Sequence, residues 1–242
     1  EERSRIDFED GHMLVLVDTP TVEAQQGRGF VYSTLPFGII LTEENIITVC
    51  LKESALARAF SESPVKNFST KKKNRMTLQL LYRNATLFLF YLREVDKASS
   101  RVENELHLSM KNKELIQMLG LEKSLVYFST SLKGNEIVLE KLLRMDFVKD
   151  YPDDTELLED VIIENKQAIE MANIYSSIIS GMMDAFASVI SNNLNVIMKV
   201  LTSLTILLTL PNIIFGFYGM NVEGLPLAQF FWFPIVLALV LM

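Results

Sequence analysis

Oxygen-bearing side chains recur at helical spacing along one apolar stretch of the sequence, from Asn195 to Asn221. On a helix, which turns about 100° per residue, nearly all of them fall on one arc about 100° wide. Of the oxygen-bearing side chains between Asn195 and Asn212, only Ser203 lies off this arc. A path that offers neutral oxygen atoms and no side-chain charge suits a hydrated cation, which can keep its own water. The residues on the arc are Asn195, Met198, Thr202, Thr205, Thr209, Asn212 and Gly216.

The arc is also compatible with two roles that involve no ion. A threonine hydroxyl can bond to its own helix backbone, which makes it tolerable in lipid. Small and polar residues also allow helices to pack closely in a membrane. The sequence leaves both roles open. Pro211 removes one backbone hydrogen bond, and we expect the freed carbonyl to face the path.

The same stretch is long enough to cross a membrane. No charged residue occurs from Val200 to Val222. About 23 residues form a helix of roughly 35 Å, and a bilayer core is about 30 Å thick. A buried helix of a soluble protein is the alternative, but such a helix is seldom this apolar over this length.

A second apolar run begins near Pro226 and continues to the end of the given sequence. It is marginal in length for a complete span, so we interpret it as the beginning of a second transmembrane helix. The intervening loop has no lysine or arginine, whereas Lys199 precedes the first span. This asymmetry predicts a cytoplasmic soluble part and N-terminus, with the loop outside. Trp232 and its phenylalanine neighbours suit an interfacial aromatic belt.

A long helix is predicted to lead into the first span. Asp150-Tyr151-Pro152-Asp153-Asp154 marks a stop and a restart, and we find no strong break from there to Pro211. One helix from about Asp154 to about Phe217 would extend about 95 Å. A seam spaced near 3.5 residues could pack against copies of the chain or against its own earlier helices. That seam consists of Met171, Tyr175, Ile178, Met182, Phe186, Val189 and Ile197, and Ile162, Ile169, Ala172, Ile179 and Ile190 offer further apolar faces.

This stalk helix is acidic. Between Asp153 and Val196, Lys166 is its one base, and a symmetric assembly of such helices would concentrate cations. Acidic helix faces are more often simply solvated. The carboxylates are Asp153, Asp154, Glu156, Glu159, Asp160, Glu164, Glu170 and Asp184.

The earlier part of the chain is predicted to be a small, mostly antiparallel sheet followed by long helices. The β-rich runs are Met13–Asp18, Phe30–Thr34, Phe37–Thr42 and Asn45–Leu51, with a turn at Leu35-Pro36. A short helix follows Glu53, and the basic segment from Lys66 to Arg75 is predicted to be a solvated loop or, less often, a contact for anionic lipid. One or two long helices are predicted over Met76–Leu119 and another over Glu122–Val148, with a break at Gly120 and a weak point at Gly134.

These elements predict an α+β architecture with a membrane end. We expect an α+β domain at 1–153, a stalk helix at 154–199 and a pore-lining transmembrane helix at 200–221. An outer loop at 222–229 and the start of a second transmembrane helix at 230–242 complete the expected order.

Composition argues against several other functions. The net charge of −7 disfavours nucleic acid as a partner. The single cysteine, Cys50, excludes an internal disulfide framework, and the charged N-terminus does not have the pattern of a signal peptide. His12 and His107 are too isolated to suggest a zinc site, and no nucleophile–base arrangement or cofactor loop supports an enzyme.

The first span ends in Tyr218-Gly219-Met220-Asn221, and this pattern resembles the CorA-type divalent-cation channels. That family carries Gly-Met-Asn at the outer end of its first transmembrane helix, often after a tyrosine. The position of the motif, after a long stalk and before a short loop and a second span, makes the resemblance specific. It covers roughly Leu157 to the C-terminus well, whereas the first 150 residues agree only in type.

The resemblance implies a homopentameric funnel in the cell (inner or plasma) membrane, with Mg²⁺ as cargo and Co²⁺ and Ni²⁺ as lesser substrates. Gly219, Met220 and Asn221 would form the selectivity filter, in which five Asn221 side chains hold a hydrated ion. Asp160 would belong to a site between subunits where cytoplasmic Mg²⁺ keeps the channel closed, and Asp184 matches an acid near the inner mouth. The remaining matches to pore-lining positions are Asn195, Leu201, Thr209 and Asn212, with Leu201 at an apolar constriction.

The outer loop retains Glu223 but lacks a second acid that is common in the family after the loop proline. The attraction of cations to the outer face would therefore be weaker.

Two alternatives keep the membrane fold but change the function. A proton-coupled, ZntB-like Zn²⁺ transporter is the first alternative, although that branch tends to carry valine at the position of Met220. A membrane-tethered sensor that conducts nothing is a more distant one, and the polar arc argues against it.

Overall fold

The computed structural model describes residues 2–25, 29–62, 69, 71–109, 112–145, 147–148, 151–220, 227 and 229–241. The chain divides into two compact units, Glu1–Asp184 and Ala185–Met242. The first contains an antiparallel sheet, three earlier helices and the first part of a long fourth helix. The second contains the remainder of that helix and one short helix.

The first unit begins with a four-stranded antiparallel sheet in the order β1-β2-β3-β4. The strands are β1 Arg5–Glu9, β2 His12–Gln25, β3 Gly29–Leu41 and β4 Ile46–Cys50. The sequence interpretation missed β1, because in Arg5–Glu9 only Ile6 is buried and its neighbours are mostly charged. Asp10 and Gly11 both have positive φ (49° and 77°), so this Asp-Gly pair makes the two-residue turn of a hairpin with β2. The Asp10-Gly11 dipeptide was the sequence signal that could have revealed this hairpin.

The turn that the sequence suggested at Leu35-Pro36 is wrong, because β3 continues through it and Pro36 pairs with Asp18. The Asp18 N–H donates to Asn135 Oδ1 at 2.8 Å, and the Asp18 carbonyl accepts from Asn84 and Asn135. Both backbone groups of Asp18 therefore point away from β3. In such a non-hydrogen-bonded pair, the backbone of Pro36 points away from β2, toward the side of the sheet where β4 lies. β4 pairs only with Phe37–Leu41 and does not extend to Pro36. The missing proline N–H costs no ladder bond there.

Three helices cover one face of the sheet: α1 Ala55–Glu62, α2 Lys73–Ser109 and α3 Asn112–Arg144. The predicted break at Gly120 is wrong, because Gly120 and Gly134 both lie inside α3. A glycine costs a helix only about 1 kcal/mol, which packing offsets easily. Phe88 of α2 and Phe128 of α3 are both fully buried and meet edge to face at 5.4 Å between ring centres. The basic segment also differs from its prediction, because α2 already begins at Lys73.

The fourth helix, α4, runs from Pro152 to Tyr218 and confirms the predicted long stalk helix that includes Pro211. It packs antiparallel to α3 in the first unit, since Asn165 bonds to Leu132 and Ser180 bonds to Glu122. A short helix, α5 Phe233–Leu241, follows in the second unit.

The structure decides between the two apolar faces predicted on α4. Ile169, Ala172 and Ile179 are buried against the chain's own helices, with Ile179 only 1% exposed. On the 3.5-residue seam, Ile178 is 46% exposed and Met171, Tyr175 and Met182 are half-buried. Intrachain packing therefore buries three residues of the second face, and of the seam it buries Phe186 but leaves Ile178 on the surface of the single chain.

Candidate functional site

The arc predicted from sequence lies on a continuous helix in the second unit. Because α4 is unbroken from Pro152 to Tyr218, the spacing of about 100° per residue applies along its whole length. Leu201 lies about 80° from Thr209, at the margin of the arc. In the single chain, the predicted pore-lining residues Asn195, Met198, Leu201, Thr205, Thr209, Asn212 and Gly216 are all exposed.

Two threonines of the arc bond back to the helix that carries them. Thr205 Oγ1 donates to the Leu201 carbonyl at 2.8 Å, and Thr209 Oγ1 donates to the Thr205 carbonyl at 2.7 Å. A hydroxyl has one proton and two lone pairs, so each oxygen keeps only acceptor capacity. The bond that makes threonine tolerable in lipid therefore also turns it into an acceptor for the protons of water.

Pro211 does not free a carbonyl toward this arc, contrary to the sequence expectation. The acceptor that loses its partner is the carbonyl of Leu207, four residues earlier. Leu207 lies about 160° around the helix from Thr209. The polar surface of the arc therefore depends on side chains rather than on an exposed backbone carbonyl.

Gly219 lies where α4 ends, and its identity has a steric reason. Its N–H donates to the Phe215 carbonyl at 2.8 Å, and a Cβ built on Gly219 would lie 2.9 Å from the same oxygen. Real Cβ atoms do not approach a backbone oxygen this closely, so any other residue would displace the helix end. Met220 follows with its side chain 55% exposed. Asn221 and Glu223, the other predicted residues here, lie outside the described residues.

Aromatic rings connect the end of α4 with the start of α5 within the second unit. Tyr218 lies edge-on to Phe233 with ring centres 5.9 Å apart, and Trp232 contacts Phe233 at 6.5 Å. Ile214 of α4 and Ala238 of α5 are both buried in the same unit. The Tyr218–Phe233 contact holds the first turn of α5 against the end of α4.

The predicted metal-binding acids Asp160 and Asp184 are both exposed on α4. They are 24 residues apart, or about 36 Å along the helix, so one chain does not bring them together. Among the residues that the structure describes, no group of three or more His, Cys, Asp and Glu could hold a metal ion.

The acidic stalk is only partly available to cations. The Asp154 carboxylate is buried and binds Arg75 Nη1 at 2.7 Å, so it adds no net negative charge. Glu159, Asp160 and Glu170 are exposed. Partial burial, followed by the nearby charge of Asp96, raises the pKa of Tyr175 on the same helix.

Within the described residues, α4 is the one helix that is long and apolar enough to cross a membrane, judged by length and composition alone. Its most apolar window is almost wholly exposed, unlike the core helix of a soluble protein. A sequence profile described as "CorA-like Mg2+ transporter protein" matches residues 1–242.

The chain belongs to the CorA family.

Two members of the CorA family show how far the sequence similarity extends. The Cobalt/magnesium transport protein CorA of Methanocaldococcus jannaschii is 31% identical over 258 residues, which cover 100% of this chain and 76% of the relative. The protein of the same name from Thermotoga maritima is 33% identical over 129 residues, covering 48% of this chain and 37% of the relative. These relatives are transporters, not enzymes.

Solved structures agree with the family assignment. The complete CorA magnesium transporter of M. jannaschii has a TM-score of 0.83 at 25% identity and covers 99% of this chain and 76% of its own. Full-length CmaX has a TM-score of 0.74 at 18% identity and covers 98% of this chain and 73% of its own. The cytoplasmic domain of ZntB from Vibrio parahaemolyticus has a TM-score of 0.57 at 13% identity and covers 81% of this chain and 75% of its own. The last two show the fold alone.

Sequence reasoning did not find two features of this site. It did not show that the donors of Thr205 and Thr209 are already used, because the bond depends on side-chain rotamers. It also gave no reason for Gly219 beyond family resemblance. A sequence signal for the role of Gly219 was available, since a glycine that directly follows a long apolar helix marks a helix end.

Proposed function

We propose that this chain is the subunit of a membrane channel for passive uptake of Mg²⁺, with Co²⁺ and Ni²⁺ as lesser substrates. The single observation that carries the proposal is an uncharged polar arc on an exposed, apolar helix, in which Thr205 and Thr209 present only acceptor oxygens. The names of the family and of its curated relatives support the choice of ion.

The chemistry of the arc suits a hydrated dication. Mg²⁺ loses its first water shell reluctantly, and the waters of that shell point their protons outward. Thr205 and Thr209 accept those protons without giving up any bond, because their own protons remain on backbone carbonyls. The absence of charge on the arc keeps the ion from binding too tightly to leave.

Assembly around the arc completes the path. Five copies would place the arc at a central axis, with lipid or neighbouring helices against the remaining faces. Leu201, which is 54% exposed in the single chain, would form an apolar ring that gates by excluding water. Asn221 would form the outer ring, two residues after the tight helix end at Gly219.

Regulation would come from Mg²⁺ bound between cytoplasmic domains. Asp160 supplies an exposed carboxylate, which is a hard oxygen ligand of the kind that Mg²⁺ prefers. Bound ions would hold facing carboxylates together, and their loss would leave repelling charges that favour the open state. Asp184 would add negative charge near the inner mouth. The N-terminus and the first unit would be cytoplasmic, and the chain would cross the cell membrane twice.

The decisive experiment measures Mg²⁺ entry into liposomes that contain the reconstituted chain and an entrapped Mg²⁺-sensitive dye. Thr205→Val with Thr209→Val removes two acceptor oxygens at constant shape, and we expect at least about tenfold slower entry. Ser203→Ala removes a hydroxyl from the same helix but about 120° away from Thr209, so it should leave the rate unchanged.

Several results would change the assignment. Equal rates in the double variant and the Ser203 control would contradict the pore-lining role of the arc. A preference for Zn²⁺ and a loss of flux when a proton gradient is dissipated would favour the ZntB-like alternative. Unchanged flux in an assembled Asn221→Ala variant would exclude the outer ring, and an oligomeric mass in detergent, with and without Mg²⁺, other than five subunits would exclude the pentamer.

A further inference from the structure

A basic cavity in the first unit is not used by the proposed pore or by its regulation. It has a volume of about 210 Å³ and lies where the start of α2 meets the start of α4. Four bases line it, together with one amide, one tyrosine ring and one carboxylate: Lys71, Lys72, Lys73, Arg75, Asn74, Tyr151 and Asp154. This concentration of positive charge contrasts with the net charge of −7 for the chain.

Two of the four bases are committed to the fold. Arg75 Nη1 donates to Asp154 Oδ1 at 2.7 Å, and both side chains are largely buried. Lys73 Nζ donates to the backbone carbonyls of Thr42 and Glu43 at 2.6 and 2.5 Å. Because carbonyls are neutral, Lys73 keeps its full charge beside the cavity, whereas Arg75 and Asp154 cancel each other.

The other two bases, Lys71 and Lys72, are exposed. Lys72 Nζ lies over the Tyr151 ring, 5.0 Å from its centre. Among the described residues, no carboxylate forms an ion pair with Lys71, Lys72 or Lys73. Within the described part of the chain, three positive charges without a paired carboxylate therefore border one cavity, and their mutual repulsion favours a multivalent anion between them.

We propose that this cavity binds a soluble anion that carries a phosphate group with two or more negative charges. Lysine ammonium groups bind phosphate oxygens through charge-assisted hydrogen bonds. The exposed Tyr151 ring beside them offers a flat apolar surface for a group attached to the phosphate. Lipid headgroups carry the same chemistry. A soluble source fits better, because Asp154 lies about 45 Å along α4 from Asp184, where the first unit ends.

The test titrates pyrophosphate into the full chain, stripped of Mg²⁺ and held in phosphatidylcholine nanodiscs, with calorimetric detection. We expect saturable binding that weakens as salt is added. Lys71→Gln with Lys72→Gln should weaken it at least about tenfold, because two charged donors are lost. Lys71→Arg with Lys72→Arg keeps both charges and should stay within about threefold of the parent chain.

The chain provides a matched control in α3. Lys123 also lies over a tyrosine ring, at 5.6 Å from the centre of Tyr127, and both Lys123 and Lys133 are exposed. Lys123→Gln with Lys133→Gln removes the same net charge and one equivalent ring contact, and binding should remain within about twofold. The absence of saturable binding, or equal weakening in this control, would overturn the proposal.

A second nanodisc composition distinguishes the two sources of phosphate. With phosphatidylglycerol added to the disc, a cavity that takes soluble anions should bind pyrophosphate as before. Loss of pyrophosphate binding in these discs would show that lipid headgroups occupy the cavity, which would overturn the soluble source.

Discussion

The two parts of α4 carry similar polar residues and use them in opposite ways. In the first unit, Asn165 is 2% exposed and donates to the Leu132 carbonyl at 3.1 Å, and Ser180 donates to Glu122 at 2.6 Å. In the second unit, Thr205 and Thr209 donate only to their own helix. Asn165 and Ser180 therefore hold the fold together, whereas Thr205 and Thr209 leave acceptor oxygens for something outside the chain.

The comparison shows that polarity on a helix does not by itself identify a site. An asparagine that is satisfied by a neighbouring helix is part of the packing, because leaving its partner unpaired costs free energy. An exposed threonine on an otherwise apolar surface has no such use within the chain. A functional site is therefore better sought among exposed polar groups that do not bond to a neighbouring element of the fold.

The largest effect is expected at the start of α4. Asp154→Asn leaves Arg75 largely buried without its counter-charge and should lower the free energy of unfolding by about 3 kcal/mol. Urea titration of the detergent-solubilised chain, followed by circular dichroism, measures it. Arg144→Met breaks an exposed pair with Glu140 at 3.6 Å and should cost less than about 1 kcal/mol. If both substitutions lowered the free energy of unfolding by similar amounts, burial would not explain a difference between the two ion pairs.

The same substitution on the two parts of α4 tests the comparison directly. Asn165→Leu removes a buried bond and should cost about 1 to 2 kcal/mol of unfolding free energy in the urea titration. Asn195→Leu, at an exposed position, should change that free energy by less than about 0.5 kcal/mol. It should instead slow Mg²⁺ entry into liposomes. A stability loss of equal size at Asn195 would contradict the division of roles.

The helix end offers a prediction for transport alone. Gly219→Ala would bring a methyl group to 2.9 Å from the Phe215 carbonyl, so the helix end must shift. We expect at least about tenfold slower Mg²⁺ entry, since the shift would misplace the proposed filter relative to the ion. Gly181→Ala has open space around its Cβ and should leave the rate unchanged. Wild-type flux in Gly219→Ala would show that the close contact does not matter.

The smallest effect separates two glycines within α3. Gly120→Ala fills open space on a helix and should raise the free energy of unfolding by up to about 1 kcal/mol. Gly134→Ala should gain less, because its Cβ would lie 3.2 Å from Ser4 Oγ. Thermal unfolding of the two variants gives the ranking, and an equal gain would mean that Ser4 moves aside freely.

Much of the fold was predictable because its signals are local. The apolar run, the Asp-rich start of α4 and the lack of a break before Pro211 predicted the long helix correctly. The errors at Pro36 and Gly120 have one cause. Both residues disfavour regular structure locally, but Pro36 sits at a free strand edge and Gly120 lies in a well-packed helix. Only the neighbouring elements decide whether a local breaker takes effect.

The candidate site divides in the same way. The sequence by itself determined the apolar length, the polar arc and the Gly219-Met220-Asn221 motif, because helical periodicity and composition are properties of one segment. Only the tertiary structure decided that α3 takes up Asn165 and Ser180, that Asp154 is neutralised by Arg75, and that Tyr151 and Asp154 complete a cavity beside three consecutive lysines. Those facts depend on residues distant in sequence, whose meeting is set by packing rather than by spacing.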